Sequence, residues 1–476
     1  MNKFDYSYTD LPRKFYSFNK PILNDNLDFV LKNNLLLKEL DIRVYNDSQL
    51  KKFLFSKNNF KKSYSQAYSG HQFGHFTNLG DGRAIMIGEY LSKNNKRFDF
   101  QIKGAGKTKY SRNGDGKSTL KSMLREYIYS ESLHYLNIPT SRSLAVINTK
   151  EKIYRESKEI GGALVRIMKS HIRVGTFEYA LFYGNNEDLN ILTAYTINRI
   201  CPQANLSNNP PLYLLEFVMN QQISLVVNWM RIGFIHGVMN TDNTSISGES
   251  FDYGPCAFIN NYDPEKVYSS IDFNGRYAFG KQPKVIKWNI FRFAETLLPI
   301  IHKNKNVSIE LAESVLNKFD EIWEIKFYEM LLNKIGIINN DKQLFTLVDK
   351  LLILMKKLKL DYTNTFWLLS NEDISKNKII KNIEFKEWYN KWIKYINNRY
   401  SIKYCQTLMK KNNPVFIPRN NIVEEAINNA IDGNMQHIKT LLKTIKKPYT
   451  YKKGLESYMK PPTPEFEDYY RTYCGT

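Results

Sequence analysis

Apolar positions change their period along the chain, and the change separates a strand-rich first part from a helical second part. Ala84-Ile85-Met86-Ile87 and Phe98-Asp99-Phe100-Gln101-Ile102-Lys103 are short apolar runs around the turn-like Ser92-Lys93-Asn94-Asn95-Lys96, a pattern that predicts a β-hairpin. Leu120, Met123, Leu124, Tyr127 and Ile128 then follow i, i+3, i+4, i+7, i+8, the stripe of a helix over about 118–136 with one buried face. It should stop ahead of Ile138-Pro139, because proline disfavours helical backbone in the residue before it. Ala163-Leu164-Val165-Arg166-Ile167 reads as another strand. Leu27 to Leu40 suggests a helix or two, and about 185–230 looks helical, ending in a buried helix at Ile223–Met230. From about 305 onward helical periodicity dominates, as in Ala312–Leu332, Leu344–Leu360, Phe385–Ile396 and Ile422–Ile431. The tail from Pro461-Pro462-Thr463-Pro464 is expected to start extended. No Gly- or Pro-rich linker and no regular repeat interrupts the chain, and the expected class is α+β.

Composition narrows the function. The 476 residues, 14% of them aromatic, can bury a sizeable core. The net charge of +21 invites a nucleic-acid reading, but Lys and Asn fill permissive positions throughout, as in Lys93-Asn94-Asn95-Lys96 and Lys303-Asn304-Lys305-Asn306. That is a drift of the whole sequence, as in an AT-rich genome, rather than one basic stripe. It favours polyanions in general, nucleotides included, and no specific nucleic-acid partner is expected. No apolar run approaches the ~20 residues of a membrane span; Leu351–Met355 is stopped by Lys356 and Lys357. Asp5 and Asp10, without an apolar run, argue against a leader peptide. Cys201, Cys256, Cys405 and Cys474 are scattered without a Cys-x-x-Cys pair, which argues against a zinc site and a disulfide framework. A cytoplasmic protein without a membrane partner is expected.

The chemistry concentrates in polar loops. Gly80-Asp81-Gly82-Arg83, Gly104-Ala105-Gly106-Lys107-Thr108 and Gly114-Asp115-Gly116-Lys117-Ser118 could let backbone N–H groups approach phosphates. None is a Walker A loop: the required glycine is Gln101 before Gly106-Lys107-Thr108 and Ser111 before Gly116-Lys117-Ser118. The dinucleotide fingerprint fails too, at Lys109 and at Ile85. A strand then delivers His236-Gly237-Val238-Met239-Asn240-Thr241-Asp242-Asn243, and Asp252-Tyr253-Gly254 follows. Protein kinases place an Asn seven residues after the His of their catalytic loop and an Asp-Phe-Gly beyond it. Here the kinase base is replaced by Val238, which cannot accept a proton. Asn243 and Asp252 offer the hard oxygens that suit Mg²⁺.

In kinases a strand Lys pairs with a Glu on the next helix. Lys103 ends such a strand, and on a helical wheel Glu131 lies nearer the middle of the apolar stripe than Glu126, so geometry alone picks Glu131. Arg166 and Arg173 carry planar forks suited to phosphate, although the blander reading, two surface arginines, is equally open on spacing alone. His71 and His75 have a zinc-compatible spacing, but Gly70 and Gly74 favour a packing turn and a third ligand is missing.

Taken together, the chain resembles the selenoprotein O family of kinase-like protein adenylyltransferases. The resemblance covers almost the whole length and rests on Tyr68–Gly74, Gly80–Ala84, Gln101–Gly106, Tyr110–Arg112, Gly114–Gly116, Arg125-Glu126, Ile138–Thr140, His236–Asn243 and Asp252–Pro255. It implies a bilobal protein-kinase-like fold. An extension would occupy 1–70, the nucleotide-binding small lobe 71–180, the large lobe with catalytic and metal loops 181–305, and a helical C-terminal region 306–476. It implies transfer of AMP, with UMP transfer as a variant, from the nucleotide to Ser, Thr or Tyr hydroxyls of client proteins. Gly80, Gly82, Arg83, Lys103, Asp115, Gly116, Arg166, Arg173 and Asp252 would bind nucleotide. Asn243 and Asp252 would hold Mg²⁺ or Mn²⁺, and Asp242 would accept the proton. The family pattern makes Glu126, against the wheel, the partner of Lys103. Some members end in a selenocysteine or cysteine near the C-terminus; Cys474 matches that position, and Cys256 is a candidate partner thiol for a redox role. The alternatives are a γ-phosphoryl-transferring kinase and a non-catalytic ATP-binding scaffold.

Overall fold

The strands expected around residues 84–103 form the middle of an eight-stranded sheet. The computed structural model describes residues 4–23, 26–338, 341–371 and 377–472. In chain order its strands are β1 (Tyr16–Phe18), β2 (Asp28–Lys32), β3 (Tyr64–Gln66), β4 (Ser69–Gln72), β5 (His75–Asn78), β6 (Ala84–Leu91), β7 (Arg97–Lys103), β8 (Ser118–Thr119), β9 (Arg142–Tyr154), β10 (Lys158–Met168), β11 (Phe234–Ile235) and β12 (Ala257–Phe258). The large sheet runs β1-β3-β6-β7-β10-β9-β2, with β8 on β10, while β4–β5 and β11–β12 are separate hairpins. Every pairing in the large sheet is antiparallel. The first seventy residues thus supply β1, β2 and β3 to the same sheet as the predicted hairpin.

Alternate strand positions point to opposite faces of a sheet, and both faces here are covered. Ile85, Ile87, Phe100, Ile102, Val165 and Ile167 pack with Leu36, Leu37, Leu50 and Leu54 from the helices Asn34–Glu39 and Asp47–Phe55. Met86 and Leu164 face the other way, onto the helix Leu120–Tyr135 and a core continuous with the helical part. Thr119 caps that helix by accepting from Ser122 N at 3.1 Å.

The run Leu27–Leu40 is not all helix. Its first half pairs as β2 with β9, and a helix starts only after Asn33, which caps it by accepting from Leu36 N. Ladder pairing in the sheet overrode the local helical pattern. The span about 185–230 is two helices, Asn186–Ile200 and Pro210–Ile232, and the second contains the predicted buried segment. Ala312–Leu332 likewise divides into Lys305–Leu316 and Phe319–Lys334. The other predicted helices are Phe345–Lys357, Ile383–Arg399 and Asn420–Ile431. The tail is extended before a short helix, Pro464–Tyr469. No helix among the described residues is long and apolar enough to cross a membrane.

Candidate active site

The helix Pro210–Ile232 stops at Gly233, whose φ of +75° is the left-handed conformation that glycine adopts without a Cβ clash. The chain turns there into β11 and then into the polar loop. Ile235 pairs with Ala257 and Phe234 with Phe258, so the hairpin holds the His236–Asn243 loop beside the Asp252 loop. His236 is fully buried and joins the two: its Nε2 lies 2.8 Å from Phe251 O, and its ring stacks on Trp229 at 5.3 Å. Burial lowers its pKa, which suits a neutral packing element. The next residue after Phe251, Asp252, has φ +63°, a conformation uncommon for a residue with a side chain.

These loops close one side of a cleft of about 660 Å³. Gly80, Gly82, Arg83, Lys103, Asp115, Gly116, Arg166, Arg173, Asp242, Asn243 and Asp252 all line it. The sheet register explains two of the cations. Lys103 sits opposite Leu164 and Gln101 opposite Arg166, so Lys103 and Arg166 are diagonal neighbours on adjacent strands. Lys103 Nζ reaches Glu126 Oε2 at 2.8 Å and Asp252 Oδ1 at 2.6 Å. Arg166 Nε donates to Glu126 Oε1 at 2.9 Å, and its Nη2 donates to Asp252 as well. Burial opposes ionisation of Asp252, but Arg166, Lys103 and Arg173 outweigh it and hold this carboxyl well below the usual range. Glu126 is lowered in the same way, burial being overcome by Arg166 and Lys103.

The wheel choice of Glu131 is therefore a correction. Glu131 accepts from Arg142 Nε at 2.9 Å and Asn33 Nδ2 at 2.8 Å, away from Lys103. The argument failed because every side chain from Met123 to Leu133 is buried. An apolar stripe identifies the covered face only when the opposite face is wet.

Arg173 is no surface arginine either. It is buried, its guanidinium lies 4.0 Å above the Tyr68 ring, and its Nη1 donates to Asp242 O at 3.1 Å. Asp242 itself is buried, and its Oδ1 has no hydrogen-bond partner among the described residues. Burial raises its pKa to about 7 against the pull of Arg173, with Asp252 and Glu178 adding to the rise. Asn243 Nδ2 donates to Val238 O at 3.0 Å, which commits the amide nitrogen and fixes the orientation of Oδ1. Val238 contributes an apolar side chain to the cleft wall and a carbonyl that orients Asn243. Asp115 is held by Arg155 at 3.0 Å from both guanidinium nitrogens.

The segment read from sequence as a packing turn carries a further part of the site. Gly70–His75 lies in the β4–β5 hairpin, which clasps the Asp242 loop. His71 N donates to Thr241 Oγ1 at 2.7 Å, and Glu178 accepts from that hydroxyl at 2.6 Å while sitting 2.6 Å from His71 Nδ1. A Cβ at Gly70 would lie 2.8 Å from Asp242 Cβ and closer still to its carboxylate. Only glycine lets the hairpin approach the acid this tightly. His75 is exposed, and no group of three His, Cys, Asp or Glu side chains among the described residues could hold a metal ion. Cys256 is buried, which pushes its thiol up to about 12, and Cys474 lies outside the described residues.

A family model described as "Protein adenylyltransferase SelO" matches residues 2–446. The chain belongs to the SelO family. Among its relatives, proteins named "Protein nucleotidyltransferase YdiU" are 46% identical in Pelagibacter ubique, over 99% of each chain, and 45% identical in Clostridium botulinum, over 99% of this chain and 97% of the relative. One from Bacillus cereus is 44% identical over 99% of this chain and 98% of its own. Such full-length similarity makes this SelO family member an enzyme of the nucleotidyltransferase class.

Proposed function

We propose that this enzyme transfers AMP from ATP to Ser, Thr or Tyr hydroxyls of client proteins and releases pyrophosphate. The sheet with its covering helix would serve as the small lobe of a kinase-like fold (71–180), and the loops of 181–305 as the catalytic part of the large lobe. The observation that carries the reading is the buried Asp242 carboxylate, with an unpartnered Oδ1 in a cleft where the kinase base position is an apolar valine. The base has moved four residues along the loop.

Lys103, Arg166 and Arg173 are placed to neutralise phosphate charge as it builds on the α-phosphoryl oxygens and on pyrophosphate. Positioning and electrostatics of this kind dominate phosphoryl-type transfers. Asp242 would take the proton as the hydroxyl oxygen bonds to the α-phosphorus and the bond to the bridging oxygen breaks. Asn243 Oδ1 and the Asp252 carboxylate form a hard-oxygen pair that suits Mg²⁺ or Mn²⁺, with nucleotide phosphates completing the shell. Such a cation would add charge neutralisation on the phosphate oxygens. Asp252 Oδ1 is bridged by Lys103 and Arg166, so arriving phosphates compete for those two cations and release the carboxylate toward a metal.

Val238 also supports a second reading, an ATP-binding scaffold without transfer. Incubation with ATP labelled at the α or the γ phosphorus, followed by intact-mass analysis of protein clients, separates the two. The expected result is α-label and the mass of one AMP. Label from γ alone would indicate a kinase, and bound ATP without covalent label would indicate the scaffold.

A further inference from the structure

Next to the nucleotide cleft lies a second hollow of about 460 Å³, lined by Phe73, Phe273, Arg276, Lys281, Lys284 and Trp288 among others. We propose that this groove docks the client polypeptide and selects an acidic, aromatic-bearing segment flanking the hydroxyl to be modified; the proposal rests on the nucleotidyl-transfer reading above.

The groove is continuous with the reaction site. Gln72 lines the nucleotide cleft and Phe73 lines the groove, so the β4–β5 turn is a wall common to both. Phe73 N donates to Asn240 Oδ1 at 3.3 Å and to Tyr277 OH at 3.2 Å, and Tyr277 OH donates to the same Asn240 oxygen. The wall is thereby tied to the loop that carries Asp242. A polypeptide resting there brings its hydroxyl toward the attacked phosphorus from the open side of the cleft.

Charge selects the occupant. Three lining side chains are cationic, and the one lining carboxylate, Asp272, is spent internally. Its two oxygens accept from Arg276 N and Tyr277 N, both at 2.8 Å. Among the described residues the ion-pair partner of Lys281 is the outward Glu265, at 3.5 Å and partly in solvent, an arrangement an incoming carboxylate can replace. Apolar surface supplies the second half of the match. Phe273 is 91% exposed and Ile271 51% exposed. Trp288 is held rigid between the His71 ring at 5.2 Å and the Arg276 guanidinium at 4.9 Å. Aromatic and arginine side chains around a shallow hollow are the composition of protein-binding surfaces.

The test uses the full-length chain with α-labelled ATP, a divalent cation and three peptides that share one acceptor sequence and differ in flanks of Glu-Phe, Gln-Phe or Lys-Phe. The wild-type chain should favour the Glu-flanked over the Lys-flanked peptide by about tenfold in kcat/KM, the yield of a few exposed charge pairs. The preference should shrink at about 0.5 M salt, where screening shortens to a few ångströms. Lys281→Glu with Lys284→Glu should reverse the ranking. Phe273→Ser removes a side chain that packs on almost nothing, so the fold is safe, and it should raise KM for all three peptides. Equal efficiency on the three peptides, or an unchanged ranking in the double variant, would overturn the groove while leaving transfer intact. Inhibition by a short RNA at lower concentration than by the acidic peptide would also overturn it, in favour of nucleic acid. Absence of α-label on every peptide and protein would overturn the transfer reading and the groove together.

Discussion

Two buried charge networks share one face of the sheet at opposite ends of strand β7, and they differ in one respect. At the N-terminal end of β7, Glu89 accepts from Arg97 at 2.8 Å, Arg199 at 2.7 Å and Tyr8 N at 2.9 Å, while Asp99 bonds Arg199 and lies 3.1 Å from His171 Nδ1. Each carboxylate there is matched by a cation, as burial demands. In the cleft, Lys103, Glu126, Arg166 and Asp252 are matched too, but Asp242 Oδ1 has no partner among the described residues and burial raises its carboxyl to about 7. Asp81, beside Arg173, is raised by burial to about 6. Every carboxylate oxygen of Glu89 and Asp99 meets a donor, whereas the cleft leaves a buried acid oxygen open, as the proposed transfer site would require.

The contrast can be broken from either side. Asp252→Ala should have the largest effect, a loss of α-label transfer on the order of 10³-fold, since it removes the proposed cation ligand and frees Lys103 and Arg166 from their bridge. Asp242→Asn should cost less, about 10²-fold, with ATP affinity retained by calorimetry. In the parent enzyme the rate should climb as pH rises toward about 7, because a base acts only when ionised, and a bound cation moves that limb lower. The variant should show no such limb. Glu89→Ala, on the closed side, removes the carboxylate shared by Arg97 and Arg199, leaves each with one remaining partner (Asp5 and Asp99), and should destabilise the fold by ~3 kcal/mol in urea unfolding. Gly70→Ala should push Asp242 aside and lower kcat by about 10²-fold, since small misplacements of a reacting group are that costly.

The smallest effect concerns Glu249. Lys169 N and Ser247 Oγ donate to it at 3.0 and 2.8 Å, and it has no ion pair among the described residues. Burial raises its pKa to about 7. A carboxyl raised on folding contributes stability in full below its unfolded value near 4.5 and loses it as pH climbs through about 7. Glu249→Gln should therefore flatten stability between those limits and make the protein more stable than the parent at pH 8, by about 2 kcal/mol. Thermal melts across pH 4–8 would check the sign.

Much of the site was legible before the structure. Gly80, Lys103, Asp115, Arg166, Asp242, Asn243 and Asp252 stand in short local motifs, and each of them reaches the one cleft. The hairpin at 84–103 and most helices were legible because their apolar periods are local. Less visible was anything set by packing on several sides at once. Glu131 looked better placed than Glu126 because a wheel assumes one wet face, and this helix has none over Met123–Leu133. Gly70–His75 read as a plain turn because its role is a clasp on a loop some 170 residues away. Its sequence signals were a glycine pair around His71 and the family motif Tyr68–Gly74, and neither says what the turn packs against.

The amino-acid order by itself determined the alternation of strand and helix, the family, and the chemical kinds of residue available: an acid four residues beyond Val238, a hard-oxygen pair and three cations. Spacing and side-chain type are local properties, readable without a fold. Only the tertiary structure decided between the wheel's glutamate and the family's as the partner of Lys103, that Arg173 is buried against Tyr68 and Asp242, and that the Asp242 Oδ1 has no partner among the described residues. Those outcomes depend on burial and on distances between remote segments. Both set the electrostatics of the site, and neither can be read from one position and its neighbours.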